Sequence, residues 1–178
     1  MRGLGLKSMV RIKKYKSCKG RICKAAPNIL ARNFNTSRPN KKWVTDVTEF
    51  HLHGQRLYFS PILDLYNGEV ISYNISERPV FAQIDDMLDK AFDRIPDNTG
   101  LILHSDQGWQ YQLQRYKLRL RRKGIVMSMS RKGIDNAAME SFFCYTKIRI
   151  TSFAEIWKRR AFCERVARIY PLLQQRAY

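Results

Sequence analysis

Trp43-Val44-Thr45-Asp46-Val47-Thr48-Glu49-Phe50 is a run of β-branched and aromatic residues with a carboxylate at its centre. Such composition favours a strand. His53-Gly54 supplies a turn, and Leu57 to Leu65 reads as a second strand. Pro61 within it predicts an edge or a bulge. Asn67-Gly68 is a hairpin signal, and Glu69 to Ile75 makes a third strand. Two tight turns imply antiparallel pairing of the three. The pattern then changes period. Phe81, Ile84, Leu88, Ala91, Phe92 and Ile95 fall on one helical face, with Asp85, Asp86, Asp89 and Asp93 elsewhere and Pro79 and Pro96 at the ends. Leu101-Ile102-Leu103-His104-Ser105-Asp106 is a short apolar run, as in a buried parallel strand. Residues 111–123 fit either state: Lys117 to Arg121 alternates like a strand, whereas Leu113, Tyr116 and Leu120 are spaced for a helix. Ile125 to Ser130 is another strand, and Ala137 to about Arg149 a helix behind the cap signal Gly133-Ile134-Asp135-Asn136. The order predicts an α/β fold on a mixed sheet, three antiparallel strands followed by parallel ones, with flanking helices.

Outside this core, 1–40 reads as a basic arm or linker, 41–150 as the folded core, and 151–178 as a basic tail in which Ile156, Phe162, Val166 and Ile169 can share a helical face. The 178 residues carry 33 Lys+Arg against 15 Asp+Glu, a net charge of +18. Residues 1–45 hold 13 bases and no acid, residues 46–106 hold 4 bases and 11 acids, and residues 107–178 hold 16 bases and 4 acids. Basic flanks of this density predict a polyanionic partner, nucleic acid before others. No apolar run is long enough to span a bilayer, and the first residues lack a signal-peptide block, so a cytoplasmic protein without membrane contact is expected. Cys18, Cys23, Cys144 and Cys163 have no zinc-site spacing and read as reduced thiols. His51 and His53 read as solvent-facing strand residues rather than a metal pair.

Three carboxylates stand apart. Asp46 interrupts a β-branched strand, Asp106 ends an apolar strand where ligands commonly lie in α/β sheets, and Glu140 opens a helix beside Met139, Phe142 and Phe143. Each alone has a plain structural explanation: a solvent-facing strand residue, a turn or cap, an ordinary helix glutamate. Gathered together they would repel one another unless cations neutralise them. Oxygen ligands suit Mg²⁺ or Mn²⁺, and two such ions can serve both the attacking and leaving oxygens of a phosphodiester.

Four strings carry a family resemblance: Trp43 to Phe50, His104-Ser105-Asp106-Gln107-Gly108-Trp109-Gln110-Tyr111, Met127 to Gly133, and Asp135-Asn136-Ala137-Ala138-Met139-Glu140-Ser141-Phe142-Phe143. They resemble the catalytic region of DDE transposases of bacterial insertion sequences, within the retroviral-integrase superfamily, over roughly residues 1–150. The resemblance implies a ribonuclease-H-like fold with Asp46, Asp106 and Glu140 as catalytic, metal-binding residues for two Mg²⁺ or Mn²⁺ ions. It implies hydrolysis at a DNA element's end to free a 3′-OH, then attack of that 3′-OH on a target strand, with no covalent protein intermediate. Lys147, seven residues after Glu140 and on the same helical face, would contact DNA phosphate. Lys41, Lys42, Arg131 and Lys132 beside the matching strings are further expected DNA contacts. Asn136 sits in the loop before the helix, either as part of the site or as a simple N-cap. A homo-oligomer on DNA, nucleoid-associated when bound, is implied as well.

Two departures set a second expectation. The 33 residues between Asp106 and Glu140 are slightly fewer than the resembled family usually has, and 151–178 lacks its C-terminal pattern. A truncated or degenerate copy is expected on that ground. Its alternatives are a catalytically inactive DNA-binding remnant, a stand-alone metal-dependent nuclease of the same fold, and a small basic ribosome-associated protein, which leaves the carboxylates unexplained.

Overall fold

The computed structural model describes residues 26–52, 54–130 and 136–151. The expected arm up to residue 25, Arg131, Lys132 and the tail from 152 onward lie outside the described residues, as do Cys18, Cys23, Cys163 and His53. The elements are β1 (Lys42–Thr45), β2 (Thr48–Leu52), β3 (Gln55–Asp64), β4 (Val70–Ser76), α1 (Phe81–Phe92), β5 (Ile102–Ser105), α2 (Trp109–Gln112), α3 (Gln114–Lys123), β6 (Val126–Met129) and α4 (Ala137–Thr151). β3 pairs antiparallel with β1, β2 and β4, while β5 pairs parallel with β1 and β6. The mixed sheet with an antiparallel half and a parallel half is the one expected, and residues 111–123 resolve as helical, with extended Leu113 separating α2 from α3.

The first strand is not continuous, however. It breaks at Asp46-Val47, so that β1 pairs with Ile62–Asp64 of β3 and β2 with Gln55–Phe59. Ser60 and Pro61 of β3 face that break. This corrects the edge reading of Pro61: β3 has neighbours on both sides, and a proline with no N–H to donate is tolerated because the ladder is interrupted beside it. A register shift between Ile62 and Leu63 follows on the β4 side. The Thr45 hydroxyl, fully buried, donates to the Pro61 carbonyl at 2.8 Å and ties the end of β1 across the gap.

The two faces of the sheet carry separate cores. On one, Trp43, Ile62 and Leu103 pack against Ile84, Met87, Leu88 and Ala91 of α1 and Tyr116 and Leu120 of α3. On the other, Val44, Phe50, Leu57, Phe59 and Leu63 meet Met139 and Phe143 of α4, together with Leu30. Alternation along β1 explains the split, since Trp43 and Val44 point to opposite faces. Asp85, expected on the outer side of α1, is buried instead between α1 and α3, where Arg115 and Arg119 pair with it at 2.7 and 2.8 Å. Residues 26–36, part of the expected arm, lie against the core. The Ile29 and Leu30 amides donate to Ser128 Oγ at 2.9 and 3.2 Å, and the Lys42 ammonium donates to the carbonyls of Asn33 and Asn35 at 2.8 and 2.7 Å. No described helix is long and apolar enough to cross a membrane.

Candidate active site

β1 and β5 are adjacent and parallel, with Val44 opposite His104. Continuing that register by two residues sets Asp46 level with Asp106, just past the C-terminal ends of both strands. Neighbouring strands lie about 4.8 Å apart, so the two carboxylates start from adjacent backbone positions. By strand parity they belong with Val44 and His104, on the α4 side. Each is held by the chain that follows it: the Val47 amide donates to Asp46 Oδ1 at 2.7 Å, and the Gly108 amide to Asp106 Oδ1 at 2.8 Å. These local turns explain why β1 and β5 stop where they do, because the side chain takes an amide that the ladder would otherwise use.

Glu140 enters from the other direction. It lies in the first turn of α4, where a negative charge suits the helix dipole, and its neighbour Met139 packs into the core that contains Val44. The electrostatics register the meeting. The Asp46 carboxyl is pushed up to about 7, first by burial, then by the negative charge of Asp106, with Glu140 adding to the effect. The Val47 amide and the Lys147 charge pull the other way. Burial also raises Asp106, against the opposing hydrogen bond from Gly108. Asp46 therefore lies within electrostatic reach of Asp106, Glu140 and Lys147. The Lys147 ammonium sits 5.9 Å from the centre of the Phe50 ring, which lies beyond the break in the strand.

The donor set is all oxygen, which suits a hard divalent cation, and the raised Asp46 marks a site short of positive charge. Among the described residues no three His, Cys, Asp or Glu side chains form a finished metal cage. A cation would have to draw Asp46, Asp106 and Glu140 inward against their mutual repulsion.

Other selected residues lie elsewhere. Lys41 and Lys42 stand at the N-terminal end of β1, opposite the carboxylates. Lys42 departs from the expected DNA contact, since its ammonium is engaged by Asn33 and Asn35. His51 is exposed and pairs with Glu49 at 2.6 Å, as a strand-surface residue would. Cys144 is an exposed thiol. Sequence reasoning gave no role to Gly108. A methyl group there would come within 2.9 Å of Asp106 Oδ1 and 3.0 Å of Gln110 Oε1, so any larger residue would push these side chains aside. The Asp-x-Gly spacing was its available signal. Tyr111 was also passed over: it is buried beneath the site, its hydroxyl 3.5 Å from Thr45 Oγ1.

Comparison with known proteins agrees with this fold. The family model described as "Integrase core domain" matches residues 36–134, more than half of the chain. The chain belongs to the integrase core domain family. This integrase core is 52% identical over 142 residues to the protein named as transposase InsK of insertion sequence element IS150 from Escherichia coli K12, covering 79% of the chain and 50% of that relative. A transposase-like protein of Haemophilus influenzae is 45% identical over 166 residues, with 89% of the chain and 76% of the relative covered. The chain thus spans half the length of the Escherichia coli relative. Among solved structures, the HTLV-2 integrase catalytic core domain in complex with magnesium aligns with a TM-score of 0.53 at 15% identity, over 67% of the chain and 78% of that core. A simian T-cell lymphotropic virus intasome chain gives 0.58 at 17%, over 69% of the chain and 45% of its own. At such identities the likeness establishes the fold, the ribonuclease-H-like architecture of integrase catalytic cores.

Proposed function

We propose that this integrase core is the catalytic domain of an insertion-sequence transposase and that Asp46, Asp106 and Glu140 bind divalent metal for cleavage and joining of DNA strands. The observation that carries the reading is the placement of Asp46 and Asp106 just past the C-terminal ends of two adjacent parallel strands, with the Asp46 carboxyl raised by burial, by Asp106 and by Glu140 of α4. Plain surface residues would separate like charges, whereas a cation site tolerates them together. Mg²⁺ or Mn²⁺, two ions in the full assembly, would supply activation of the attacking oxygen and neutralisation of the leaving one. The chain's own contribution is orientation. The Val47 and Gly108 amides each hold one oxygen of an aspartate. Asp46 and Asp106 are half-buried while Glu140 is exposed, and Lys147 offers a cation for a DNA phosphate beside them. Arg131, Lys132 and Lys41 are proposed as further phosphate contacts along the duplex, and a homo-oligomer on DNA in the cytoplasm as the working form.

The test uses labelled duplexes bearing the terminal repeats of the cognate element, with Mg²⁺ or Mn²⁺ and wild type or Asp46→Asn. The expected result is metal-dependent nicking at the element end, followed by joining to a second duplex, both lost in the variant. Nicking without joining would point to a nuclease of the same fold. Metal-independent binding without chemistry would leave a DNA-binding remnant and overturn the catalytic assignment.

A further inference from the structure

Asn136 lies immediately before α4 and is buried. Its side chain leaves its own helix alone. Nδ2 donates at 3.3 Å to the carbonyl of Thr45, 91 positions away in the chain. That carbonyl belongs to the peptide group joining Thr45 to Asp46, and Thr45 is anchored in turn through Pro61. The backbone carbonyl of Asn136 meanwhile accepts from the amides of Met139 and Glu140 at 3.0 and 3.1 Å. One residue therefore grips both the peptide before Asp46 and the amide of Glu140.

An asparagine serving as an ordinary N-cap would turn its side-chain oxygen onto the first free amides of the helix. Here Oδ1 has no partner although it is buried. Reversing the amide would not help, because it would set Oδ1 against the Thr45 carbonyl oxygen. The arrangement leaves a buried acceptor unsatisfied in order to keep one cross-link between α4 and β1. Among the described residues the packing of these elements is otherwise apolar, with Met139, Phe143 and Val44 in one cluster. Such packing is not directional and lets a helix slide or roll, whereas a hydrogen bond to a fixed carbonyl sets its position.

We infer that Asn136 is a positioning residue that sets the placement of Glu140 relative to Asp46. The inference rests on the metal-binding reading for its consequence but not for its geometry. The decisive variant is Asn136→Leu in the full chain, which keeps the branched shape with slightly larger end groups and removes both the donor and the unsatisfied oxygen. Thr146→Val is the control: it deletes a buried hydrogen bond within α4, Thr146 Oγ1 to the Phe142 carbonyl at 2.7 Å, that does not reach β1.

Expected for Asn136→Leu are a melting temperature within a few degrees of wild type, because losing the unsatisfied oxygen is offset by the Thr45 carbonyl losing its donor, and an affinity for Mn²⁺ alone lower by about 10–100-fold, the range seen when partners that orient metal ligands are removed. Amide hydrogen exchange at Met139 and Glu140 should accelerate at least about tenfold in the metal-free protein, the effect of a loosened helix start. Thr146→Val should lower the melting temperature and leave both other readouts unchanged. A role confined to stability would not lower Mn²⁺ affinity in a protein that melts like wild type. A folded Asn136→Leu with wild-type exchange at Met139 and Glu140 overturns the inference. If wild type itself fails to bind Mn²⁺, the metal reading falls, and the exchange rates alone then decide the positioning role.

Discussion

Replacing Asp46 with Asn should make the metal-free protein more stable, and increasingly so as pH rises. Asp46 is lifted from 3.8 to about 7. Its folded-state pKa exceeds the unfolded value, so between those limits the folded protein holds a proton that the unfolded chain has lost. Stability from this group therefore declines as pH climbs from 3.8 and levels off above about 7. Three pK units at 1.36 kcal/mol each bound the cost at about 4 kcal/mol. Relaxation and water entry reduce it, so about 2–4 kcal/mol is a fair expectation near pH 8. Asn has a similar shape, can keep the bond from the Val47 amide, and carries no charge to bury. For a chain of this size about 1 kcal/mol moves the melting temperature by about 2–4 °C, so Asp46→Asn should melt about 5–10 °C higher at pH 8. Thermal melts in chelator at half-unit pH steps from 4 to 8.5 would trace it, the two proteins converging at the acid end. Saturating Mn²⁺ should close the gap by stabilising wild type alone, by about 2.7 kcal/mol at a hundredfold excess over Kd. Equal melting at pH 8, or a difference independent of pH, would refute the charge cluster on which the site rests.

Gly108→Ala should fold with a modest loss of about 1 kcal/mol but displace Asp106, because the added methyl meets its carboxylate at 2.9 Å. Metal-dependent nicking should then fall about 10²-fold, the cost of misplacement by roughly 1 Å. Lys147→Ala should weaken duplex binding and reduce the slope of log K against log salt by about 0.9, as for one lost phosphate contact. A slope unchanged from wild type would remove Lys147 from the interface. Phe59→Ala should cost about 3–5 kcal/mol in urea unfolding, since Phe59 packs against Phe50, Tyr73, Phe142 and Phe143 and joins α4 to the sheet.

Much of this protein was legible in its residues in order. The change of period from strand to helix after Ile75, the hairpin at Asn67-Gly68 and the apolar run Leu101 to Ser105 determined a mixed sheet, because local propensity and burial agree there. Asp46, Asp106 and Glu140 were visible as carboxylates out of place in a basic chain, and the resemblance to insertion-sequence transposases pointed to them and to Lys147 as one site. What a linear reading could not supply was anything dependent on which strands become neighbours. Whether Pro61 marks an edge or sits beside an interruption depends on β1 and β2 occupying the same flank of β3. Lys42 read as a DNA contact, and only the fold brought the carbonyls of Asn33 and Asn35 to its ammonium. Asn136 likewise looked like a cap, and only a contact across 91 residues turned its amide toward the peptide before Asp46. Residue type and spacing set local conformation and chemical capacity; partnership between distant side chains is a property of chain packing, where the short range of hydrogen bonds makes position in space decisive.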